Sequence, residues 1–397
     1  MVQKKRIEIL DVIRGFAIFG IIIANIQSWS GYKFIPFELL QTLPYYEYNT
    51  LAKSLFLFFI DTKFYTLFSL LFGIGFFIQF DKHRDNQAPF VKTYIRRLLF
   101  LMLFGLIHAF FWSGDILFIY GMVGLVLISF RNLPLKTLLI SSFVLYYIWL
   151  IYDLIIALYY PHLLEVTPLA YKTYSDISPS TLTSIFQEGS FIEVLRANWH
   201  NLYWRYMDLI PSGRLTKVLA IFVLGYYMMS IDYFRVYINS KKLLLIYFGL
   251  GSLFTYLSFI IGGSMSSYSH DLTNVLYKFI SATGQILLAL SYIHILSALY
   301  QLSFFKKAFK GFAYVGRMSF TNYLMHTVFG YLIFYPFFSG YFGTMGKIEI
   351  SFLALCLYTL QVFLSMFWFK FFSMGPLEWA WRSLIVMKRM PLRKKVV

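Results

Sequence analysis

The segment Arg96 to Tyr120, RRLLFLMLFGLIHAFFWSGDILFIY, decides the fold class of this 397-residue chain. Two very apolar runs flank a Gly114-Asp115 break, and they carry an arginine pair and a lone His108. Runs of this kind are typical of helices in a lipid bilayer, and an ionisable group at membrane depth is costly enough to need a structural or functional reason. We therefore expect two membrane helices here, with functional residues on or beside them.

The composition indicates a membrane protein. Hydrophobic residues make up 59% of the chain, aromatic residues 21% and charged residues only 13%, and the mean hydropathy is +0.65. Apolar runs lie near 11–29, 51–80, 98–112, 115–130, 136–160, 215–230, 243–262, 274–299, 313–336 and 349–373. At roughly 20 residues per crossing, the sequence predicts an all-α fold, a polytopic transmembrane helix bundle of about ten spans. We expect one membrane domain over residues 1–397.

The positive charge lies in the connections between these runs. The formal net charge is +17, but Lys and Arg occur in short clusters, a pattern that suits an anionic leaflet and not nucleic acid. The clusters fall at every second connection, so the positive-inside rule predicts that both termini are cytoplasmic. Residues 374–397 would then form a basic cytoplasmic interfacial tail, and MVQKKR would lead into a retained first helix. The lipid bilayer is the expected partner, and the sequence leaves the oligomeric state open.

Two irregular segments interrupt the pattern. Residues 161–214 are too long for a simple turn, and their tryptophans predict an extracytoplasmic segment with interfacial helices. It is either a lid over an outward-facing cavity or an inert surface loop. The second apolar run is broken at Asp61-Thr62-Lys63. Since irregular backbone at membrane depth needs protein or a wet cavity around it, Asp61 and Lys63 are candidate binding residues; a solvated bend outside the bilayer is the alternative.

Polar residues occupy one face of the first helix. Asp11 and Arg14 are spaced to pair, and Arg14 and Asn25 lie about three turns apart on nearly the same face. This predicts a polar stripe that runs most of the way across the membrane, with Arg14 and Asn25 as candidate ligand-binding residues. The alternative is an interfacial Asp-Arg anchor and an asparagine that joins two helices.

In the opening segment, His108 and Asp115 are candidate catalytic residues. If the two runs form a tight hairpin, the carboxylate would orient the imidazole, the side chain best matched to proton transfer near neutral pH. The alternative is a histidine bonded to a backbone carbonyl and an aspartate that caps the next helix. Arg96 and Arg97 suit phosphate groups, or serve only as a positive-inside anchor.

Later spans carry weaker signals. Asn322 and His326 share a helix face in GRMSFTNYLMH and are further candidate binding residues, whereas His294 reads as a packed, hydrogen-bonded core residue. In GPLEWAWRSL, the tryptophans favour docking over catalysis. Cys356 is the only cysteine, and the chain lacks Walker, HExxH, CxxC and G-x-S-x-G motifs. We expect no metal site and no resident cofactor.

Four segments, taken in order, resemble the YeiB-type bacterial membrane proteins, a family built on a domain of unknown function. They are LDVIRGFAIFGIIIAN, KFYTLFSLLFGIGF, RRLLFLMLFGLIHAFFWSGDILFIYGMVGL, and GRMSFTNYLMH with GPLEWAWR. The resemblance implies a bacterial plasma-membrane location. More distantly, the first helix is similar to that of membrane acyltransferases, in which an Arg is followed about three turns later by a catalytic-type His. Here Arg14 matches the Arg, but Asn25 stands at the His position.

Three functional hypotheses follow. The first is an acyltransferase-like enzyme that moves an acyl group from cytoplasmic acyl-CoA to an extracytoplasmic sugar or other envelope acceptor. In it His108 takes the proton, Asp115 orients His108 and Asn25 donates to the oxyanion; donor phosphates are held by Arg14, Arg96 or Arg97. The second is a transporter of a small solute or lipid along the same polar stripe. The third is a structural or sensory membrane protein whose polar residues join helices.

Overall fold

The computed structural model describes residues 8–35, 37–159, 179–210, 212–262 and 272–394. Helices dominate these ranges, as the apolar runs predict. Leaving out turns and helical pieces of four residues or fewer, we number them α1 (Glu8–Trp29), α2 (Asn49–Phe59), α3 (Lys63–Asp81), α4 (Gln87–Phe111), α5 (Leu117–Leu127), α6 (Leu135–Tyr147), α7 (Trp149–Tyr159), α8 (Pro179–Glu188), α9 (Phe191–Met207), α10 (Arg214–Ser230), α11 (Lys241–Gly262), α12 (Leu272–Tyr300), α13 (Ser303–Arg317), α14 (Ser319–Phe334), α15 (Lys347–Phe371) and α16 (Pro376–Val386).

Seven helical segments are long and apolar enough to cross a membrane. They are Glu8–Trp29, Tyr46–Asp81, Gln87–Phe111, Leu135–Tyr159, Lys241–Gly262, Leu272–Tyr300 and Lys347–Phe371. The remaining predicted spans coincide with the shorter helices α5, α10 and α14. The all-α membrane bundle is therefore confirmed for the described ranges, while the count of about ten and the cytoplasmic termini stay predictions.

Helix α1 lies at the centre of the bundle, where it packs against α3, α12, α13, α14 and α15. Its approach to α13 is close because glycines face backbone on both helices. A Cβ on Gly15 would overlap the carbonyl oxygen of Phe312, and one on Gly316 would overlap the carbonyl oxygen of Asp11. The small residues that bring membrane helices together thus also fix the position of the polar stripe on α1.

Helices α4 and α5 form the hairpin that the opening segment predicts. Helix α4 ends at Phe111, α5 begins at Leu117, and the two helices pack against each other. Gly105 faces the backbone nitrogen of Phe118, so a side chain at that position would separate them. The tight turn brings the ends of both helices, and with them His108 and Asp115, into one place.

The break in the second apolar run is also present. Helix α2 ends at Phe59 and α3 begins at Lys63. Thr62, between them, has φ 65° and ψ −26°, a left-handed conformation that is costly for a β-branched residue. Its hydroxyl donates to the Asp61 carbonyl at 2.6 Å, and the Lys63 ammonium donates to the Leu57 carbonyl. The interruption is a fixed turn inside the protein.

Candidate functional site

Two cavities lie along the polar stripe of α1. One, of about 500 Å³, is lined by Arg14, and the other, of about 580 Å³, is lined by Asn25. We call them the arginine cavity and the Asn25 cavity. Since Arg14 and Asn25 are separated by about 16 Å of helical rise, one helix connects two separate binding volumes.

The arginine cavity collects cationic side chains from four helices. Arg14 comes from α1, Arg97 from α4, Arg317 from the end of α13 and Arg382 from α16. Arg14 contacts Asp11 at 2.9 Å, as the i, i+3 spacing predicts. The Arg97 guanidinium lies 4.0 Å from the centre of a tryptophan ring in α16, an arrangement that fixes the cation and leaves its edge available.

Helix α16 is docked by Glu378, which also lines the arginine cavity. Its carboxylate accepts hydrogen bonds from the backbone nitrogens of Phe320 and Thr321 and from the Thr321 hydroxyl, at 2.8, 3.2 and 2.6 Å. It therefore caps the first turn of α14 from a neighbouring helix. Burial raises the pKa of the Glu378 carboxyl, against the effect of these hydrogen bonds. Helix α16 thus packs against α14 through Glu378, while docking in place of catalysis stays a prediction.

The Asn25 cavity has a different lining. Its ionisable side chains are three cations, two carboxylates and a histidine: Lys33, Arg205, Arg214, Asp61, Asp208 and His200. Neutral polar groups come from Asn25, Ser28 and Asn201, and the apolar wall includes Tyr65 and Trp112. The long segment 161–214 contributes through α9 and the residues that follow it. Within its described part, this segment borders a cavity, as the lid interpretation requires.

A thin septum separates the two cavities. Phe64 and Phe68, one turn apart on α3, line opposite cavities, a rise of about 6 Å. The hydroxyl of Tyr120 bonds Ser69 at 2.6 Å and donates to the Tyr65 carbonyl at 3.2 Å. These contacts hold Tyr120, which lines the arginine cavity, against Tyr65, which lines the Asn25 cavity.

His108 and Asp115 meet as the hairpin predicts. His108 Nδ1 lies 2.8 Å from Asp115 Oδ1, and Asp115 Oδ2 accepts from the backbone nitrogen of Phe118 at 2.9 Å. The carboxylate therefore both orients the imidazole and caps α5. Since Asp115 accepts from Nδ1, the neutral ring presents Nε2 as an acceptor, and the Thr327 hydroxyl donates to it at 2.7 Å.

The imidazole of His108 is enclosed by protein. His108 and Asp115 are 5% and 4% exposed, Thr327 is 5% exposed, and neither cavity is lined by any of them. Trp112 lines the Asn25 cavity and also packs against His108, with ring centres 5.8 Å apart. Tyr323 also packs against His108, with ring centres 5.4 Å apart, so two aromatic side chains flank the imidazole.

The other predicted residues divide between the cavities and the interior. Asp61 lines the Asn25 cavity and Arg97 the arginine cavity, whereas Lys63 is buried and Arg96 lines neither. Asn322 and His326 are fully buried. His326 Nε2 lies 3.1 Å from the side-chain oxygen Oε1 of Gln361. The side-chain nitrogen Nε2 of Gln361 donates to the Asn322 backbone carbonyl at 2.9 Å. These contacts join α14 to α15, which is the helix-joining role of polar residues in membranes.

His294 is packed in the core, as expected. It is 2% exposed, and its Nε2 lies 2.8 Å from the hydroxyl of Tyr233. Among the described residues, no group of three or more His, Cys, Asp or Glu is arranged to hold a metal ion.

The sequence did not single out several residues that the fold brings to these sites. Lys33 reaches the Asn25 cavity from the connection after α1, and Asp208 and Arg214 reach it from the two ends of the connection between α9 and α10. Only the place of Asp208 and Arg214 at the end of the long segment could have suggested them. Thr327 is separated from His108 by more than two hundred residues. Its hydroxyl inside an apolar run was the one available signal.

Comparison with known proteins gives relatives without an assigned activity. Residues 238–388 match the family model described as Protein of unknown function (DUF418). The chain is 30% identical over 408 residues to the uncharacterized protein YxaH of Bacillus subtilis (strain 168), covering 99% of this chain and 97% of the relative. It is 26% identical over 400 residues to the uncharacterized protein YeiB of Escherichia coli (strain K12), covering 94% and 95%. No solved structure gives a significant match.

Proposed function

The chain belongs to the DUF418 family of bacterial membrane proteins, and from this premise we propose that it is an acyltransferase-like enzyme. It would move an acyl group from a cytoplasmic acyl-CoA to a sugar or other envelope acceptor on the opposite side of the plasma membrane. The resemblance to YeiB-type proteins is confirmed by the comparisons; the catalytic activity is our proposal.

One observation carries this proposal: the two cavities have different linings. A transporter offers one solute similar contacts from either side, since the same ligand occupies both states. Four arginines line the arginine cavity together with two carboxylates, Asp11 and Glu378, which already contact Arg14 and the start of α14. The Asn25 cavity is lined by three cations, two carboxylates, a histidine and several amides. Two linings favour two different ligands, and two ligands that approach one septum favour a transfer between them.

The arginine cavity suits the donor. Its guanidiniums match the phosphate groups of coenzyme A, which planar, multidentate donors bind well. In the predicted topology, Arg97 follows the basic stretch that the positive-inside rule assigns to the cytoplasm, where acyl-CoA is made. The flexible acyl-bearing arm would pass Tyr120 in the septum to reach the acceptor.

His108 is the proposed proton acceptor, positioned by Asp115. Nε2 of His108 already accepts a hydrogen bond from the Thr327 hydroxyl, so the proton would pass through that hydroxyl. The hydroxyl of the sugar or other acyl acceptor gives its proton to Thr327 Oγ1 as Thr327 gives its own proton to His108. The freed acceptor oxygen attacks the thioester carbonyl, the carbon–sulfur bond breaks, and the proton on His108 neutralises the leaving thiolate. For the acyl acceptor in the Asn25 cavity to reach Thr327 and His108, the Trp112 side chain must turn aside. Asn25, in the acceptor cavity, is the proposed amide donor to the oxyanion.

Labelled acetyl-CoA, a cell-envelope extract and the purified protein in lipid nanodiscs provide the test. We expect label transfer that falls about 10²- to 10⁴-fold in His108→Gln, the usual contribution of general base catalysis. His294→Gln is the matched control, since His294 is also buried and hydrogen-bonded but lies outside the proposed proton route. Absence of both acetyl-CoA binding and label transfer in the wild type would refute the proposal.

Transport is the second candidate, favoured by the septum between two cavities on one helix. Its test is uptake of small solutes and lipids into proteoliposomes, driven by a gradient. Uptake without any transfer of label would replace the enzyme proposal by the transporter. If neither uptake nor label transfer is detected, and the buried contacts of His326 are still needed for stability, the structural or sensory role is favoured.

A further inference from the structure

Five charged side chains in the Asn25 cavity have no ion pair or side-chain hydrogen bond within the described ranges, although the Arg214 guanidinium lies 5.6 Å from the centre of the Tyr65 ring. Lys33, Arg205, Arg214, Asp61 and Asp208 all line it. Within the described ranges, no side chain of the five makes an ion pair or a hydrogen bond with another residue. Charged groups in a partly enclosed site are normally paired, because removal from water is costly without a counter-charge. Unpaired charges that share one cavity are therefore a feature of a site prepared for a ligand.

Arg205 gives the sharpest indication. Its Nε is buried and has no hydrogen-bond partner among the described residues, and buried polar atoms without a partner are uncommon in native proteins. Burial, together with the nearby Arg214 guanidinium, lowers the pKa of Arg205 to about 10, so it stays charged near neutral pH. Two neighbouring guanidiniums repel each other, and an anion between them would stabilise both.

The carboxylate side of the cavity is held by a strained turn. Asp61 is placed there by Thr62, whose left-handed backbone is costly for a threonine. Strain of this kind persists where the surrounding structure demands it, and it concentrates at ligand sites. The side-chain carboxylate of Asp61 accepts no hydrogen bond within the described structure, so its two oxygens are available to hydroxyl donors from a ligand.

The combination defines a ligand class. Three cations exceed two carboxylates, which favours an anionic group, and arginines suit phosphate or carboxylate in particular. Asp61, Asp208 and the amide of Asn25 are hydrogen-bonding groups for hydroxyls. Aromatic rings such as that of Tyr65 provide an apolar wall.

We propose that the Asn25 cavity binds a sugar or polyol that carries a phosphate or carboxylate, with Arg205 and Arg214 on the anionic group and Asp61 on the hydroxyls. This inference rests on the proposed function in one respect, since it names the acceptor class of that reaction. Binding itself needs no donor, so it is testable without any transfer.

Binding is measured by calorimetry on the full-length protein in phosphatidylcholine nanodiscs, without coenzyme A. The probes are glucose 6-phosphate, glucuronate and glucose, which differ in the anionic group. We expect at least one anionic probe to bind about tenfold or more tightly than glucose, as expected for charge-assisted hydrogen bonds, and less tightly as ionic strength rises. Which anionic probe binds better distinguishes phosphate from carboxylate.

Variants separate the two parts of the site. Arg205→Gln and Arg214→Gln should each weaken anionic-probe binding about tenfold or more without changing the weaker binding of glucose. Asp61→Asn should weaken all binding. Arg84→Gln is the control, because Arg84 is exposed, pairs with Asp81 and lines neither cavity. Thermal unfolding of every variant checks that it is folded.

Equal affinity for glucose and the anionic probes, no binding of any probe, or no effect of either arginine substitution would overturn the inference. Competition by phosphatidylglycerol would support it and assign the phosphate to a lipid headgroup. Label transfer with no preference for anionic acceptors would overturn this inference alone. Anionic-probe binding by a protein that neither binds acetyl-CoA nor transfers label would overturn the proposed enzyme alone.

Discussion

Replacement of Thr327 by valine tests whether the contact between α4 and α14 is structural, catalytic or both. Valine keeps the branched shape of threonine but removes the hydroxyl that donates to His108 Nε2 at 2.7 Å. Because the ring is only 5% exposed, water cannot readily replace the lost donor. Asp115 would still hold Nδ1, so the imidazole should keep its orientation.

The expected loss of stability follows from that burial. A buried acceptor left without a partner costs about 1–3 kcal/mol of unfolding free energy. Thr327→Ser keeps the hydroxyl and loses one buried methyl group, worth about 0.8 kcal/mol. If the proton passes through Thr327, the valine variant should also lose about 10²- to 10⁴-fold in transfer rate, whereas the serine variant should keep most of it.

Unfolding in detergent, followed by tryptophan fluorescence, and label transfer per folded molecule are measured on the same preparations. Unchanged stability in Thr327→Val would show that the hydrogen bond is absent. A stability loss with an unchanged transfer rate would show that the hydroxyl only joins the two helices. That result would remove Thr327, and with it the route of the proton to His108, from the mechanism.

Three further predictions concern the bundle. Lys278→Met removes the cation that the buried Asp153 carboxylate contacts at 3.0 Å, so we expect a loss of about 3–5 kcal/mol in unfolding free energy, largely recovered when Asp153→Leu is added. Gly15→Ala should cost about 1–3 kcal/mol by forcing α1 away from α13, whereas Gly75→Ala, which meets open space, should cost little. Glu378→Ala removes the acceptor at the start of α14 and should lower stability by about 1–3 kcal/mol; an unchanged unfolding midpoint would contradict the capping role.

Much of the architecture follows from local chemistry. The apolar runs determine where helices form, since a chain in lipid must satisfy its own backbone hydrogen bonds. The spacing of His108 and Asp115 across a short turn predicts their contact, and the spacing of Asp11 and Arg14 predicts another. In each case the partners are close in sequence, so the helix or turn alone brings them together.

Sequence by itself determined the membrane class, the hairpin, the break after α2 and the two ends of the polar stripe on α1, because these depend on periodicity and short spacing. Only the tertiary structure decided that His108 is enclosed and bonded to Thr327, that Lys63 and His326 are buried, and that two cavities meet at a septum. It also brought Arg205 beside Arg214. Such outcomes depend on which helix faces pack together, and that choice is made by contacts between residues far apart in the chain.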